Sequence, residues 1–227
     1  LPSNKNDLTS PYGEIYKRPL YFDNFLKNLN PFLTSNFQHQ VLYREKGHFY
    51  TELPYCKENI LLFGYFQSYK YFNSYKNYIL KLSGIDKLLH KENNNNTISI
   101  HFRIGDYVHN TSSHPILSID YYVKSLQHII EKTNKDNWNV IYYFEKKDLV
   151  QVTTNIRVLK DGFPNLNFKE CPQNLGDWEE MLSMSSCKHN IIANSTFSWW
   201  GAYLNENNDK IVCYPSIWFG NELQNKD

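Results

Sequence analysis

The run Ile98-Ser-Ile-His-Phe-Arg-Ile-Gly-Asp-Tyr107 begins as an apolar strand and ends in His101, Arg103 and Asp106 around Gly105. A glycine there permits a tight turn, so three ionisable side chains leaving one strand end can converge on one crevice. Arg103 offers a planar fork of donors suited to phosphate oxygens. An Arg103–Asp106 ion pair that merely braces a loop accounts for the same residues, and both readings stand. The second group is Asn194-Ser-Thr-Phe-Ser-Trp-Trp-Gly201, at the junction of a buried strand and a helix. Unbonded helix-start amides with the hydroxyls of Ser195, Thr196 and Ser198 would form an anion site that needs no added charge. Simple capping by Ser195, with Trp199 and Trp200 in the core, is compatible with that role.

The elements around these groups follow from periodicity. Thr97–Phe102, Asn139–Phe144, His189–Ala193 and Lys210–Tyr214 read as strands. Ile119, Tyr122, Val123, Leu126 and Ile129 recur at helical spacing, which predicts a helix from Ser118 to about Lys132. Asp177-Trp-Glu-Glu180 has the form of a capping box opening a helix to about Ser186, and a further helix runs from Ser195/Thr196 to about Leu204. Leu149–Val158 has no firm assignment. Strands alternating with helices imply an α/β domain around a parallel sheet, and such sheets bind ligands at their strands' carboxyl ends, where both polar groups fall. Upstream, Tyr21–Leu29 reads as one short helix, Asn59–Phe66 as a strand ending in a turn, and Tyr69–Leu82 as helix. The polar run Lys91–Asn96 reads as a linker, giving domains 1–95 and 96–227.

Composition narrows the function classes. With 227 residues, 21% charged residues and a net charge of +1, the chain lacks the basic stripe expected of a nucleic-acid binder. Cys56, Cys171, Cys187 and Cys213 are scattered, without zinc-ligand spacing, and are expected to be free thiols. No apolar run approaches the roughly 20 residues that span a bilayer. The chain opens on Leu1-Pro2 rather than Met, so a leader or N-terminal segment is expected to be missing. The expected compartment is cytoplasmic, or lumenal if an anchor precedes residue 1.

His-x-Arg-x-Gly-Asp-Tyr after a strand, followed by Ile191-Ile-Ala-Asn-Ser-Thr-Phe-Ser-Trp-Trp-Gly-Ala-Tyr-Leu-Asn205, resembles glycosyltransferase family 11, the α-1,2-fucosyltransferases. Gly64-Tyr-Phe-Gln-Ser-Tyr-Lys-Tyr-Phe72, Leu117-Ser-Ile-Asp-Tyr-Tyr122, Met181–Asn190 and Tyr214-Pro-Ser-Ile-Trp-Phe219 extend the likeness in order. The resemblance implies a GT-B-like architecture, with a Rossmann-type nucleotide-sugar domain and an abbreviated N-terminal α/β acceptor domain. It implies inverting transfer of fucose from GDP-fucose to a galactoside hydroxyl, with no cofactor and no metal; no acidic Asp-x-Asp pair is placed to hold one. On that reading Arg103, Ser195, Thr196, Ser198 and Asn194 meet the diphosphate. His101 meets the base or ribose, and Glu180 accepts from the guanine edge. Asp106 and His114 are the candidate bases, and Tyr65 and Gln67 contact the acceptor sugar. For His101, Glu180 and the aromatic stretch, purely structural roles are equally open. Two departures stand out. The family's second basic residue is Ile104 here, and the Gly-rich segment that opens its first domain is absent. They lend support to one alternative, a non-catalytic nucleotide- or glycan-binding remnant; a transferase with another GDP-sugar or linkage is a second, which motifs around the phosphate leave open.

Overall fold

Ile98, Ile100 and Phe102 alternate with Thr97, Ser99 and His101 along one strand, and all six are buried. A strand covered on both faces belongs at the centre of a parallel sheet. A computed structural model, which describes residues 7–9, 15–17, 21–34, 38, 41–89, 94–221 and 223, places it there. Two units are present, one over Leu1–Leu88 and one over Leu89–Lys226. Residues 91–93 of the expected linker lie outside the described residues, and Asn94–Asn96 form the start of a strand.

In the first unit β1 (Asp7–Thr9) pairs antiparallel with β2 (Ile15–Lys17), and β3 (Val41–Arg44) pairs parallel with β4 (Ile60–Phe63). The helix α1 (Lys76–Ser83) ends at Gly84 in the left-handed region. Tyr21–Leu29 is not one helix but two 3-10 turns, Tyr21–Asp23 and Lys27–Phe32, the second containing Pro31. Tyr69–Leu82 likewise becomes α-helical only from Lys76.

The second unit holds five parallel strands: β5 (Asn94–His101), β6 (Asn139–Tyr143), β7 (Asn167–Glu170), β8 (Cys187–Ile191) and β9 (Val212–Cys213). Their spatial order is β7-β6-β5-β8-β9. Taken in chain order this is 3-2-1-4-5, the Rossmann arrangement, and the winding reverses between β5 and β8. The crossovers are α2 (Ile119–Thr133), α3 (Leu149–Gly162), α4 (Asp177–Ser186) and α5 (Thr196–Leu204). Ile98, Ile100, Val140 and Phe168 pack with Leu126 and Ile129 of α2 and with Val152, Ile156 and Leu159 of α3. On the other face Ser99 accepts from Asn190 Nδ2 at 2.7 Å, and that nitrogen also reaches the Met184 carbonyl of α4 at 2.8 Å. A Cβ on Gly201 would lie 2.8 Å from Met184 Cβ, so glycine sets how closely α5 approaches α4.

Candidate active site

Strand register decides what meets at the carboxyl edge. His101 pairs with Tyr143 and Ile100 with Ile191. Continuing both registers past the strand ends sets Arg103 level with Glu145 on one side and with Asn194 on the other. Contacts follow that alignment. Arg103 Nη1 donates to Glu145 Oε1, and Nη2 donates to Asp106 Oδ1 at 2.5 Å. The guanidinium carbon lies 4.8 Å from the centre of the Tyr107 ring. The Tyr107 hydroxyl donates to the Asn194 carbonyl at 2.9 Å, tying the turn after β5 to the start of α5. The rings of His101 and Phe197 make a second link, 5.4 Å apart. Both sequence groups thus meet at the switch point of the sheet.

Gly105 makes the turn possible. Its φ is +37°, and a Cβ there would stand 3.0 Å from a Glu145 carboxylate oxygen. Its amide donates to Asp148 Oδ2 at 2.8 Å. Ile104 is buried in the core beside Phe102, which leaves that side chain no part in the crevice. His101 is buried, and burial, reinforced by the Arg103 charge, pushes it down to about 3, so the ring is neutral. Its Nδ1 is buried without a partner.

Asn194 and Ser198 have protein partners for their side chains. Asn194 Nδ2 donates to the carbonyls of Pro115 at 2.9 Å and Trp218 at 3.2 Å, so it fastens two loops. Only its Oδ1 is without a partner. Ser198 is fully buried, and its hydroxyl donates back to the carbonyls of Ser195 at 3.3 Å and Ala193 at 3.5 Å. Ser195 occupies the cap position of α5, but its side chain makes no capping hydrogen bond. Its own amide donates to the Ala193 carbonyl at 2.8 Å. What the start of α5 presents is therefore the amides of Thr196 to Ser198, which have no intrahelical acceptor, and the exposed residue Thr196.

His114 stacks on Tyr107, ring centres 4.7 Å apart. Glu180 lies half-buried in the first turn of α4. The cap there is displaced by one residue from the expected box: Glu179 Oε2 accepts from the Gly176 amide at 2.8 Å. Glu180 is left outside that cap, and burial, then the Asp177 charge, raise it to about 7 against the opposing pull of Lys146. Tyr65 and Gln67 are exposed in the first unit, beyond β4. The turn they flank is held by Glu45 Oε2, which accepts from the amides of Tyr65 at 2.7 Å and Phe66 at 2.9 Å.

Several participants had no individual signal. Glu145 and Asp148 come from the loop after β6. Tyr121, noted only within a motif, and Tyr122, noted there and in the helical pattern, brace the edge itself. The Tyr121 hydroxyl reaches the carbonyls of Ile192 at 2.6 Å and Cys213 at 2.9 Å, and the Tyr122 hydroxyl reaches the His101 carbonyl at 3.2 Å.

A sheet in Rossmann order with a guanidinium and a helix start at its switch point is the arrangement in which nucleotide-binding domains hold their ligands. The comparisons give the family: a family model described as "Glycosyl transferase family 11" matches residues 23–226, and the chain belongs to that family. It is similar to the O-antigen biosynthesis glycosyltransferase WbnK of Escherichia coli, 36% identical over 203 residues that cover 81% of this chain and 65% of that protein. It is also similar to an alpha-1,2-colitosyltransferase of Escherichia coli, 32% identical over 135 residues covering 57% of this chain and 43% of that protein. The chain thus spans less than two thirds of either relative's length. Among the described residues, no helix is long and apolar enough to cross a membrane.

Proposed function

We propose that the chain is the nucleotide-sugar-binding part of a GT-B-like, inverting glycosyltransferase that moves fucose from GDP-fucose to a galactoside hydroxyl in α-1,2 linkage. The observation that supports the reading is the Tyr107–Asn194 hydrogen bond, which joins the turn that carries Arg103 to the start of α5. A diphosphate leaving group held there would gain a cation from Arg103 and neutral donors from α5. Donors aimed in advance at developing charge are the means by which a site without a metal can stabilise it. His101, neutral and with a free Nδ1, is suited to accept from a ribose hydroxyl. Glu180 would accept from guanine N1–H and the exocyclic amine.

Direct inversion needs a base for the acceptor hydroxyl. Asp106, already bonded to Arg103, and His114, stacked on Tyr107, are the two candidates. The pH–rate profiles of Asp106→Asn and His114→Ala separate them, because the variant that keeps the acid limb has not lost the base. Tyr65 and Gln67 would receive the acceptor sugar, an aromatic face against a pyranose ring beside an amide that reads hydroxyls.

A colitosyl donor is the second reading, favoured by the name of one relative. The test is a donor screen with EDTA present: GDP-fucose, GDP-colitose, and UDP- and ADP-sugars against a lactose-type acceptor, with products identified by mass spectrometry. Transfer from GDP-fucose alone supports the first reading. Binding of GDP without transfer from any donor leaves a nucleotide-binding remnant. No binding of GDP ends both.

A further inference from the structure

A guanidinium presents its donors in one plane, so its value to an anion depends on which way that plane faces. Three contacts fix the plane of Arg103: Asp106 on Nη2, Glu145 on Nη1, and the Tyr107 ring against it. Asp106 and Tyr107 belong to the same turn as Arg103 and would move with it. Glu145 does not. It follows β6 directly, level with Arg103 in the register of the central strand pair. Its carboxylate is itself oriented, since Oε2 stands 3.1 Å from Lys147 Nζ. The turn is shaped to admit it, because a Cβ on Gly105 would crowd both carboxylate oxygens, at 3.0 and 3.2 Å.

We propose that Glu145 is a positioning residue for transfer: it acts only through Arg103, anchoring the guanidinium to the sheet so that the rest of its fork faces the leaving diphosphate. This rests on the reading of the site given above. Glu145 neither touches the substrate nor takes a proton. A bystander carboxylate beside an anion site would act in the opposite direction, repelling the donor, so that its removal tightens binding. The two roles predict effects of opposite sign.

The experiment is a double-mutant cycle on the full chain with Glu145→Gln, Arg103→Ala and the pair, measured by transfer from GDP-fucose and by titration with GDP. Misplacing a catalytic group by a fraction of its reach typically costs ten- to a hundredfold, so Glu145→Gln should lower kcat by about tenfold or more and weaken GDP severalfold. In the Arg103→Ala background it should change neither beyond about twofold, and the single variant should keep the acid limb of the pH–rate profile. Losses that add in the double variant overturn the proposal, as do tighter GDP binding with unchanged kcat or a vanished acid limb. If Glu145→Gln does not fold, Glu145→Asp carries the same cycle, and the GDP titration serves where Arg103→Ala turns over too slowly. Failure of the underlying reading looks different: the unaltered chain then binds no GDP, and the inference falls with it.

Discussion

If Glu180 accepts from the guanine edge as proposed, proton binding and nucleotide binding are coupled in a way that can be measured. With its carboxyl raised to about 7, it is mostly protonated at pH 6 and mostly ionised at pH 8. A carboxylate that accepts from guanine N1–H and N2–H must be ionised. The ionised fraction is about a tenth at pH 6 and about nine tenths at pH 8, so affinity should rise roughly tenfold across that interval. GDP-fucose is the ligand to use, because its diphosphate is esterified at both ends and has no proton to lose in this range, whereas a terminal phosphate titrates near 6. Calorimetry in two buffers of different ionisation enthalpy should find close to one proton released per site at pH 6 and about half at pH 7. Glu180→Gln should flatten the profile. A second check needs no ligand. Below about 4.5 the group is protonated in both folded and unfolded chains and contributes nothing. Between about 4.5 and 7 the unfolded chain loses its proton first, so the native state is progressively destabilised and stays so above that window. Glu180→Gln should therefore gain Tm at pH 8 and not at pH 4.5. Equal affinity for GDP-fucose at pH 6 and pH 8, or an undiminished slope in Glu180→Gln, refutes the assignment to guanine.

Arg103→Ala should lower kcat by about a hundred- to a thousandfold, the usual cost of about 3–4 kcal/mol for a lost preorganised donor, and a folded variant with near-normal kcat/KM would remove the diphosphate assignment. Tyr107→Phe leaves the Asn194 carbonyl without its donor and loosens the join between the two sides of the crevice. It should cost about 1 kcal/mol of stability and raise the donor KM together; a loss of stability with KM unmoved would separate that bond from the site. Tyr121→Phe removes a hydroxyl that joins the carbonyl of Ile192, just past β8, to that of Cys213, which ends β9. The expected cost is about 1–3 kcal/mol in the denaturant midpoint at unchanged slope, and an unshifted midpoint would contradict the bracing role.

What could be read from the sequence was whatever a local pattern encodes. The central strand showed itself because Ile98, Ile100 and Phe102 are apolar, and its site because His101, Arg103, Gly105 and Asp106 lie within six positions of one another. β7 escaped because Phe168 alone of its four residues is buried, which gives an edge strand no periodicity to detect. The helix after it was found, but with the wrong cap, since a glycine whose amide is held by Glu179 carries no side-chain signal. The inward bonds of Asn194 and Ser198 could not be read, because a polar side chain at a strand end can turn to nearby carbonyls as readily as outward, and only packing decides which. Glu145 is the instructive omission. Forty-two residues separate it from Arg103, and no spacing rule connects them. Yet the strands that carry them, Ile98–His101 and Val140–Tyr143, were both identifiable, and as sequential strands of one parallel sheet they are natural neighbours. Aligned at their carboxyl ends, His-Phe-Arg falls beside Tyr-Phe-Glu, and the ion pair follows from the register. The missing information was therefore not chemical but topological: which strand ends lie side by side, and at what level.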